Sequence, residues 1–423
     1  MFLQLSFTLL LVSLQVLASP SPLHVRDKSP VTLPFARRLN TTGTANLLKI
    51  DQARALALKN HANVKPQPKS KFQTAASAAF GLPSDNQAVE YTVEIGVGNP
   101  PVNYTVLVDT GSSNTWICCE VGKYAYSETS IDTGNSVYIE YGSGVMTGEQ
   151  YLDQLTLAPG FVIRNQSLGV ALVAPGFEDV DGILGLGPQD LTCNTLFPDD
   201  TTCVPTVTDN SLNQGLIDSK LVGISFEPTD TMDPVTNGEI SFGNIDTTKF
   251  TGKLSYVPIT ETFPATEYVG IDQNITYGSG ENAKVVMETT SGITDTGTTL
   301  LLLASDAIAN YTAATGAVLD SDVGLLKITP AQFSNLQSLF FTIGDEQYEF
   351  TPNAQIWPRS LNSAIGGTSD AIYLIIADIG YSSGNGLDFI NGMTFLERFY
   401  TVYDSENEVF GIATTKFTSA LTN

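Results

Sequence analysis

Histidine is nearly absent from this sequence. Its 423 residues include only His24 and His61, and both precede Ala78. The chain after Ala78 therefore cannot carry a Ser-His-Asp or Cys-His mechanism, nor a zinc site with histidine ligands. Any hydrolytic chemistry there has to use other side chains, and no metal site is expected.

Basic residues are also scarce. The sequence has 20 Lys and Arg against 44 Asp and Glu, and its formal net charge is -24. This balance disfavours binding to nucleic acids and to anionic membranes. Ten of the basic residues precede Ala78, where only Asp27 and Asp51 oppose them. We expect a short cationic segment that is attracted to a large anionic body at neutral pH and separates as carboxylates protonate.

Long apolar runs are limited to the beginning of the chain. The run from Phe7 to Leu17 is shorter than the roughly 20 residues that a membrane-spanning helix needs. With small residues near Ala18, it predicts a signal peptide over residues 1–18 and a secreted, extracellular product without a membrane anchor. Residues 19–77 are predicted to be a basic propeptide, helical around Asn46–Ala62.

Cysteine is sparse, with four residues that allow three disulfide connectivities. Cys193 with Cys203 would close a short loop, whereas the alternatives join that loop to Cys118 and Cys119. Free thiols at Cys118 and Cys119 also remain possible at this point. A secreted surface is further indicated by four predicted glycosylation sites: Asn103, Asn165, Asn274 and Asn310.

Most of the chain after Ala78 consists of short runs of Val, Ile, Thr and Tyr between Gly, Asn, Asp and Ser. Such runs predict a mostly β chain with many hairpins. The few predicted helices are Pro205–Gln214, Ser305–Thr315, Thr329–Leu336 and Gly392–Arg398.

The sequence Asp-Thr-Gly occurs twice, at Asp109–Gly111 and Asp295–Gly297. Each copy follows an apolar run and precedes a hydroxyl-rich turn. A single copy is an ordinary turn signal, but two copies in matching contexts indicate two related halves. An apolar, glycine-containing segment follows each copy, at Val180–Gly187 and Phe389–Gly392. Asn391 takes an apolar position in the second segment, so we expect a less regular core there.

These residues resemble the pepsin family of aspartic endopeptidases across essentially everything after Ala78, most closely the polyporopepsin group of secreted fungal enzymes. The resemblance rests on both Asp-Thr-Gly copies, on Tyr141–Gly144, and on Phe399–Asp404. It implies an all-β, bilobal double-barrel fold with few short helices and an active-site cleft between the lobes. The predicted lobes are residues 78–255, with Asp109, and 256–423, with Asp295.

The resemblance also implies a mechanism. Asp109 and Asp295 would share a proton, because two adjacent carboxylates cannot both ionise cheaply, and aspartic proteases are the standard example of this effect. One would activate a water molecule and the other would assist the carbonyl oxygen, with no metal or cofactor. The residues expected to support this pair are Thr110, Gly111, Ser112, Thr296, Gly297 and Thr298.

Further roles follow from the same resemblance. Tyr141, Gly142 and Ser143 would form a flap over the substrate, with Trp116 holding the Tyr141 hydroxyl. The residues expected to contact substrate are Leu107, Val180, Ile183 and Thr299, together with Tyr141. Of these, Leu107, Tyr141, Val180 and Ile183 are expected to line a pocket that favours bulky hydrophobic side chains. The expected partners are protein and peptide substrates and the chain's own propeptide, and the enzyme is expected to be a monomer.

A propeptide lysine, Lys69 or Lys71, is expected to block the site by pairing with both carboxylates. Two alternatives stay open. A non-catalytic binding protein of the same fold usually loses an Asp, a Gly or the flap Tyr, all of which are present here. A phosphate-transferring enzyme with an aspartyl nucleophile would need a magnesium-binding acidic cluster and a later lysine, neither of which is visible.

Overall fold

The structure is a computed structural model of the chain. It describes residues 29–39, 47–61, 89–117, 124–141, 144–177, 180–199, 202–231 and 233–423. The predicted signal peptide, residues 1–18, lies outside these ranges. No helix in the described part of the chain is long and apolar enough to cross a bilayer.

Strands dominate the described residues, as the alternating sequence pattern predicts, and most of them belong to one large sheet. The strands of this sheet are β1 (Val31–Leu39), β2 (Val89–Val97), β3 (Val102–Asp109), β4 (Thr115–Ile117), β5 (Ile131–Glu140), β6 (Val145–Ala158), β7 (Phe161–Val173), β8 (Gly182–Gly185), β9 (Leu196–Phe197), β10 (Leu221–Phe226), β11 (Val235–Phe242), β12 (Thr251–Pro258), β23 (Phe399–Asp404) and β24 (Val409–Thr414). Their spatial order is β12-β24-β23-β10-β11-β1-β2-β3-β8-β4-β7-β6-β5-β9.

The second half of the chain builds two smaller sheets. Their strands are β13 (Gly270–Tyr277), β14 (Lys284–Thr294), β15 (Leu301–Leu303), β16 (Val318–Leu319), β17 (Leu326–Ile328), β18 (Leu339–Ile343), β19 (Glu346–Phe350), β20 (Ile372–Tyr373), β21 (Ile376–Asp378) and β22 (Phe389–Asn391). The seven-stranded sheet has the order β19-β18-β13-β14-β22-β15-β21, and the three-stranded sheet has the order β16-β17-β20. The predicted lobe boundary between residues 255 and 256 falls inside β12, which pairs with β24.

Helices are short and few in the described residues. The α-helices are α1 (Leu47–His61), α2 (Val207–Asn213), α3 (Ser305–Thr315), α4 (Pro330–Phe333) and α5 (Met393–Leu396), and 3-10 turns cover Gln189–Thr192, Ala265–Glu267, Gly280–Asn282 and Arg359–Ile365. Each of the five predicted helical segments contains one of these α-helices. Thr206 and Thr329 begin α2 and α4 with capping boxes, in which side chains satisfy the first free N–H groups.

The two halves repeat one arrangement of strands around the Asp-Thr-Gly sequences. In the first half, β3 pairs in parallel with β8, and β8 pairs in antiparallel with β4. In the second half, β14 pairs in parallel with β22, and β22 pairs in antiparallel with β15. Asp109 ends β3 and Asp295 follows β14, so each aspartate lies at the carboxyl end of a buried strand. The segments that echo each other in the sequence are therefore structural equivalents.

Asn391, the polar residue at an apolar position of the second half, has a buried polar partner. Its side chain and that of Gln273 exchange two hydrogen bonds, of 2.9 and 3.1 Å, and both residues are fully buried. A buried amide is costly only when its donors and acceptors lack partners. The two amides satisfy each other, although the pairing of β13 with β14 shifts register immediately after Gln273.

Two elements of the predicted propeptide belong to the fold. Strand β1 lies between β11 and β2 in the large sheet and pairs in antiparallel with both. Phe35 on β1 packs edge-on against Tyr91 and Phe226 in the core. Helix α1 lies in the cleft, with Leu47, Ala55 and Leu58 in the main apolar core. This basic segment therefore contributes both backbone pairing and buried apolar surface.

Candidate active site

The two Asp-Thr-Gly turns meet through crossed hydrogen bonds. The backbone N–H of Thr110 donates to Oγ1 of Thr296, and the N–H of Thr296 donates to Oγ1 of Thr110, both at 3.0 Å. Thr296 Oγ1 donates in turn to the carbonyl of Val108 at 2.9 Å. Because each threonine satisfies a buried N–H of the opposite half, neither turn can move away without leaving an unpaired donor.

The two carboxylates have matching partners. Asp109 accepts hydrogen bonds from the Gly111 N–H at 2.9 Å and from the Ser112 hydroxyl at 2.6 Å. Asp295 accepts equivalent bonds from the Gly297 N–H at 3.0 Å and the Thr298 hydroxyl at 2.6 Å. In each carboxylate, Oδ1 accepts the hydrogen bond from the amide and Oδ2 accepts the one from the hydroxyl. The planes of the two carboxylate groups are therefore fixed in the same way.

Glycine at positions 111 and 297 allows the carboxylates to approach the opposite turn. A Cβ atom added to Gly111 would lie 2.7 Å from Oδ1 of Asp295, and one added to Gly297 would lie 2.7 Å from Oδ1 of Asp109. Real Cβ atoms do not come that close to oxygen. The glycine in each Asp-Thr-Gly sequence is thus required by the opposite half of the molecule as well as by its own turn.

Arg54 of helix α1 occupies the space between the two carboxylates. Its Nη2 donates to Oδ1 of Asp109 at 2.6 Å and to Oδ1 of Asp295 at 2.9 Å, while its Nε donates to Oδ2 of Asp295 at 2.7 Å. All three side chains are buried. The planar guanidinium matches carboxylate geometry, which a lysine ammonium would not do in the same way. In this structure, one nitrogen of Arg54 bridges the pair.

Burial and charge act differently on the two aspartates. Burial raises the pKa of Asp109, with Asp295 adding to that effect and Arg54 opposing it. Burial also acts to raise the pKa of Asp295, but the Arg54 charge and hydrogen bonds from Arg54, Thr298 and Gly297 outweigh it and lower that pKa. Asp295 is therefore the more firmly ionised member while Arg54 is bound. The two environments make the pKa values of the two aspartates differ.

A second carboxylate on α1 binds the backbone of the second turn. Asp51, one helical turn before Arg54, accepts the N–H groups of Thr299 at 3.2 Å and Leu300 at 2.8 Å. Burial raises the pKa of Asp51 to about 7, against the effect of these two hydrogen bonds and of Arg54. Asp51 and Arg54 together attach one face of α1 to the loop that carries Asp295.

Tyr141 lies at the end of β5 beside the carboxylates. Its hydroxyl accepts a hydrogen bond of 2.8 Å from Nε1 of Trp116, and both rings pack edge-on against Phe177. The Tyr141 N–H donates to the Gly144 carbonyl across the hairpin at 2.7 Å. The contact predicted between Trp116 and Tyr141 is thus present. The other predicted flap residues, Gly142 and Ser143, lie outside the described part of the chain.

The four residues predicted to favour hydrophobic side chains lie together. Leu107, Tyr141, Val180 and Ile183 belong to one apolar cluster with Trp116. A cavity of about 30 Å³ remains beside this cluster, between Ile139, Tyr141 and Leu191 on one side and residues of α1 on the other. Leu58 of α1 lines that cavity, and its carbonyl accepts a hydrogen bond of 2.7 Å from the Tyr268 hydroxyl. Helix α1 fills most of the cleft at this point.

Sequence reasoning missed Arg54. Lys69 and Lys71, the predicted blocking residues, lie outside the described residues, and an arginine more than ten positions earlier contacts both carboxylates instead. A signal was available, because Asp51 is one of only two acidic residues in the basic segment and lies three positions before Arg54. Residues three apart share a helix face.

Comparisons with known proteins agree with this geometry. Residues 90–415 match the family of eukaryotic aspartyl proteases. The chain is an aspartic endopeptidase of the pepsin family. It is 54% identical to polyporopepsin of Irpex lacteus over 346 residues, which is 82% of this chain and all of that protein. It is 32% identical to pepsin A of Rhinolophus ferrumequinum, over 82% of this chain and 87% of the relative.

A solved structure gives the same result for the fold. The crystal structure of the aspartic proteinase from Irpex lacteus superposes with a TM-score of 0.78 at 46% identity, covering 93% of this protease and all of that chain. The predicted all-β, bilobal pepsin-like fold is therefore confirmed. The relatives also include cathepsin D of Dictyostelium discoideum, 31% identical over 82% of the protease and 90% of the relative.

The protease has one disulfide among its described residues. Cys193 and Cys203 are joined, which selects the short-loop connectivity from the three that the sequence allowed. Cys118 and Cys119 lie outside the described residues. Among the predicted glycosylation sites, Asn103, Asn165 and Asn310 are exposed and Asn274 is half-buried.

Proposed function

We propose that this protease is secreted as an inactive precursor and that it cleaves proteins at acidic pH beside bulky hydrophobic residues. Asp109 and Asp295 are the proposed catalytic residues. The observation that carries this proposal is the pair of buried carboxylates held by equivalent hydrogen bonds from opposite halves of the chain. Such a pair, with different pKa values, provides a base and an acid at one place.

The proposed reaction begins when α1 leaves the cleft. A water molecule then takes the position of Arg54 Nη2, within hydrogen-bonding distance of both Oδ1 atoms. The ionised member of the Asp109–Asp295 pair removes a proton from the water as the oxygen attacks the peptide carbonyl. The other member stays protonated, because two adjacent carboxylates do not both ionise cheaply, and its proton can stabilise the developing oxyanion.

Substrate selection is proposed to depend on the cluster of Leu107, Val180 and Ile183 beside Tyr141. These side chains are apolar and adjoin the carboxylates, so burial of a large hydrophobic side chain there would supply binding energy. The hairpin that carries Tyr141 is proposed to close over the peptide and exclude water. Thr299 is proposed to contact the substrate through the N–H that now binds Asp51.

The precursor is proposed to stay inactive because Arg54 neutralises the carboxylates and blocks the water position. This replaces the expectation that a lysine near residue 70 does so. Burial opposes the charge on Arg54, yet Asp109 and Asp295 together raise its pKa, so the guanidinium stays charged in the cleft. Asp51 strengthens the attachment by binding two backbone N–H groups of the second turn.

A direct test is to acidify the purified precursor to about pH 4 and follow both its mass and its hydrolysis of casein. We expect loss of roughly the first 75 residues together with hydrolysis that pepstatin inhibits. Asp295→Asn is the matched control, because it keeps the size of the side chain and removes the carboxylate. We expect its activity to fall by about a hundred- to ten-thousandfold. Full activity in Asp295→Asn, or no hydrolysis after the propeptide is lost, would refute the proposal.

A further inference from the structure

Helix α1 also contacts the rest of the protein at a second place in the cleft, away from the two carboxylates. Lys59, five residues after Arg54, places its ammonium 3.8 Å from the ring centroid of Tyr381. The same Nζ donates to Oδ1 of Asn385 at 2.8 Å. An aromatic face and an amide oxygen are both ligands that a cation prefers. The loop from Tyr381 to Asn385 therefore binds a basic side chain in this structure.

The loop is held in position by its own hydrogen bonds. Asp388 is fully buried and accepts the N–H groups of Gly384 at 2.7 Å and Asn385 at 2.9 Å. The Tyr381 hydroxyl donates to the Leu387 carbonyl at 2.9 Å, which fixes the ring. The Asn385 amide nitrogen donates to the Ser382 carbonyl at 2.7 Å. Because that nitrogen is already bonded, the Asn385 oxygen is the atom presented to a ligand.

The surroundings of the loop favour positive charge. No Lys or Arg occurs between Arg359 and Arg398 in the sequence. Asp306 binds Ser383 through both carboxylate oxygens, and Asp378 accepts the Gly380 N–H at 2.7 Å. With Asp388, three carboxylates thus border the loop, and they attract a cation without occupying its position.

We propose that the loop from Tyr381 to Asn385 is a subsite for a lysine or arginine side chain of the substrate. Lys59 follows Arg54 by five positions in α1, and this spacing corresponds to about 7.5 Å along the helix axis. An extended peptide covers this distance in two or three residues. The subsite therefore selects a basic residue two or three positions from the cleaved bond. The inference rests on the proposed catalytic role of Asp109 and Asp295 and on the departure of α1.

The test uses the mature enzyme and a series of peptides that share one bulky hydrophobic cleavage site. Lysine, norleucine and glutamine are placed in turn at each of the four positions on either side of the cleaved bond, and kcat/KM is measured. Norleucine has the four-carbon chain of lysine without its ammonium group. We expect lysine to exceed norleucine by roughly threefold to tenfold at a position two or three residues from the bond.

Variants of the loop connect that preference to its residues. Tyr381→Leu and Asn385→Ala should each reduce kcat/KM for the lysine peptide more than for the norleucine peptide, and so reduce the lysine preference. Asn385→Asp should increase the preference, because it adds a charge beside the cation. Tyr126→Leu, which removes an exposed tyrosine from the first half of the chain, should change neither value.

The outcomes separate this inference from the proposed function. Cleavage of the norleucine peptides without any lysine preference, or with a preference that survives both Tyr381→Leu and Asn385→Ala, overturns the subsite alone. Failure to cleave any of the peptides overturns the proposed function and the subsite with it. A lysine preference that the two loop variants abolish supports both.

Discussion

At the scale of single residues, the arginine at position 54 determines how helix α1 contacts the two carboxylates. Its three hydrogen bonds to Asp109 and Asp295 use two nitrogens of one rigid plane. Lysine has one nitrogen on a flexible chain, so it could not reproduce this geometry. The buried cation also compensates two buried carboxylates that would otherwise repel each other. Arg54 is thus matched to the site, although its sequence neighbourhood is an ordinary Ala- and Leu-rich helix.

We predict that Arg54→Ala makes the precursor active before it is processed. Removing the guanidinium leaves two buried carboxylates without a cation, which costs several kcal/mol and weakens the docking of α1. Hydrolysis of a short fluorogenic peptide at pH 6 measures this, with the propeptide confirmed intact by mass. Arg54→Lys should give an intermediate rate, and Lys49→Ala, an exposed change on the same helix, should stay inactive. An Arg54→Ala precursor as inactive as the wild type would contradict the prediction.

We predict that Gly297→Ala lowers kcat by about a hundredfold, because a shift of about 1 Å in a reacting group has this effect. The added Cβ would lie 2.7 Å from Oδ1 of Asp109 and force the two carboxylates apart. Gly111→Ala should act in the same way on Asp295. Steady-state kinetics give the effect, and the midpoint of urea unfolding shows whether the variant is folded. A folded Gly297→Ala enzyme with wild-type kcat would count against this account.

At the scale of elements, strand β1 is a part of the sheet that the proposed processing would remove. It lies between β11 and β2, so its loss exposes backbone N–H and C=O groups along two strands. Unpaired backbone groups in a buried sheet are costly. It also removes Phe35 from its contacts with Tyr91 and Phe226. The predicted propeptide is consequently a structural part of the fold as well as an occupant of the cleft.

We predict that the precursor refolds from urea and that the mature enzyme does so poorly. The refolding mature chain lacks β1 as a partner for β2 and β11, and exposed strand edges favour aggregation. Recovery of activity after dilution from urea, with the precursor acidified after refolding, provides the measurement. Adding a peptide of residues 29–61 should raise the yield of the mature chain. Equal recovery of both forms without the peptide would show that β1 is dispensable.

At the scale of the whole molecule, charge separates a cationic segment from an anionic body. Arg54 lowers the pKa of both Asp109 and Asp295 relative to the same pair without it. Docking of α1 therefore releases protons and weakens as the pH falls. Asp51 behaves in the opposite way, because burial raises its pKa to about 7 and its contribution declines as the pH rises through that value. The proposed acid release of α1 thus depends on Asp109 and Asp295, and Asp51 opposes it.

We predict that processing accelerates as the pH falls from 6 to 3, most steeply below the ordinary carboxyl value of about 4. Because Arg54 lowers the pKa of Asp295, the contribution of this carboxylate to docking is present above that ordinary value and is lost progressively as the pH falls below it. The mass of the precursor, followed over time at several pH values, gives the rate. Asp51→Asn should not abolish the acceleration, since Asp51 loses no favourable charge on acidification. A rate that is independent of pH, or greatest at neutral pH, would contradict this.

Local patterns in the sequence determined much of this protein. Alternating β-branched runs predicted the mostly β fold, and two Asp-Thr-Gly copies predicted two related halves. Four helices of the body were found because Pro, Gly and capping residues mark their ends. Each of these features depends on residues that are close in sequence, so the sequence alone carries the information.

Contacts between distant residues were decided only by the tertiary structure. Arg54 binds Asp109 and Asp295, which lie 55 and 241 positions later in the sequence. Asn391 is hydrogen-bonded to Gln273, which lies 118 positions earlier. Strand β1 pairs with β11 about two hundred residues later. No local pattern predicts such pairs, because they form only when packing of the two halves brings the segments together. The choice of disulfide and the contact of Lys59 with Tyr381 arise in the same way, from the spatial proximity that folding creates.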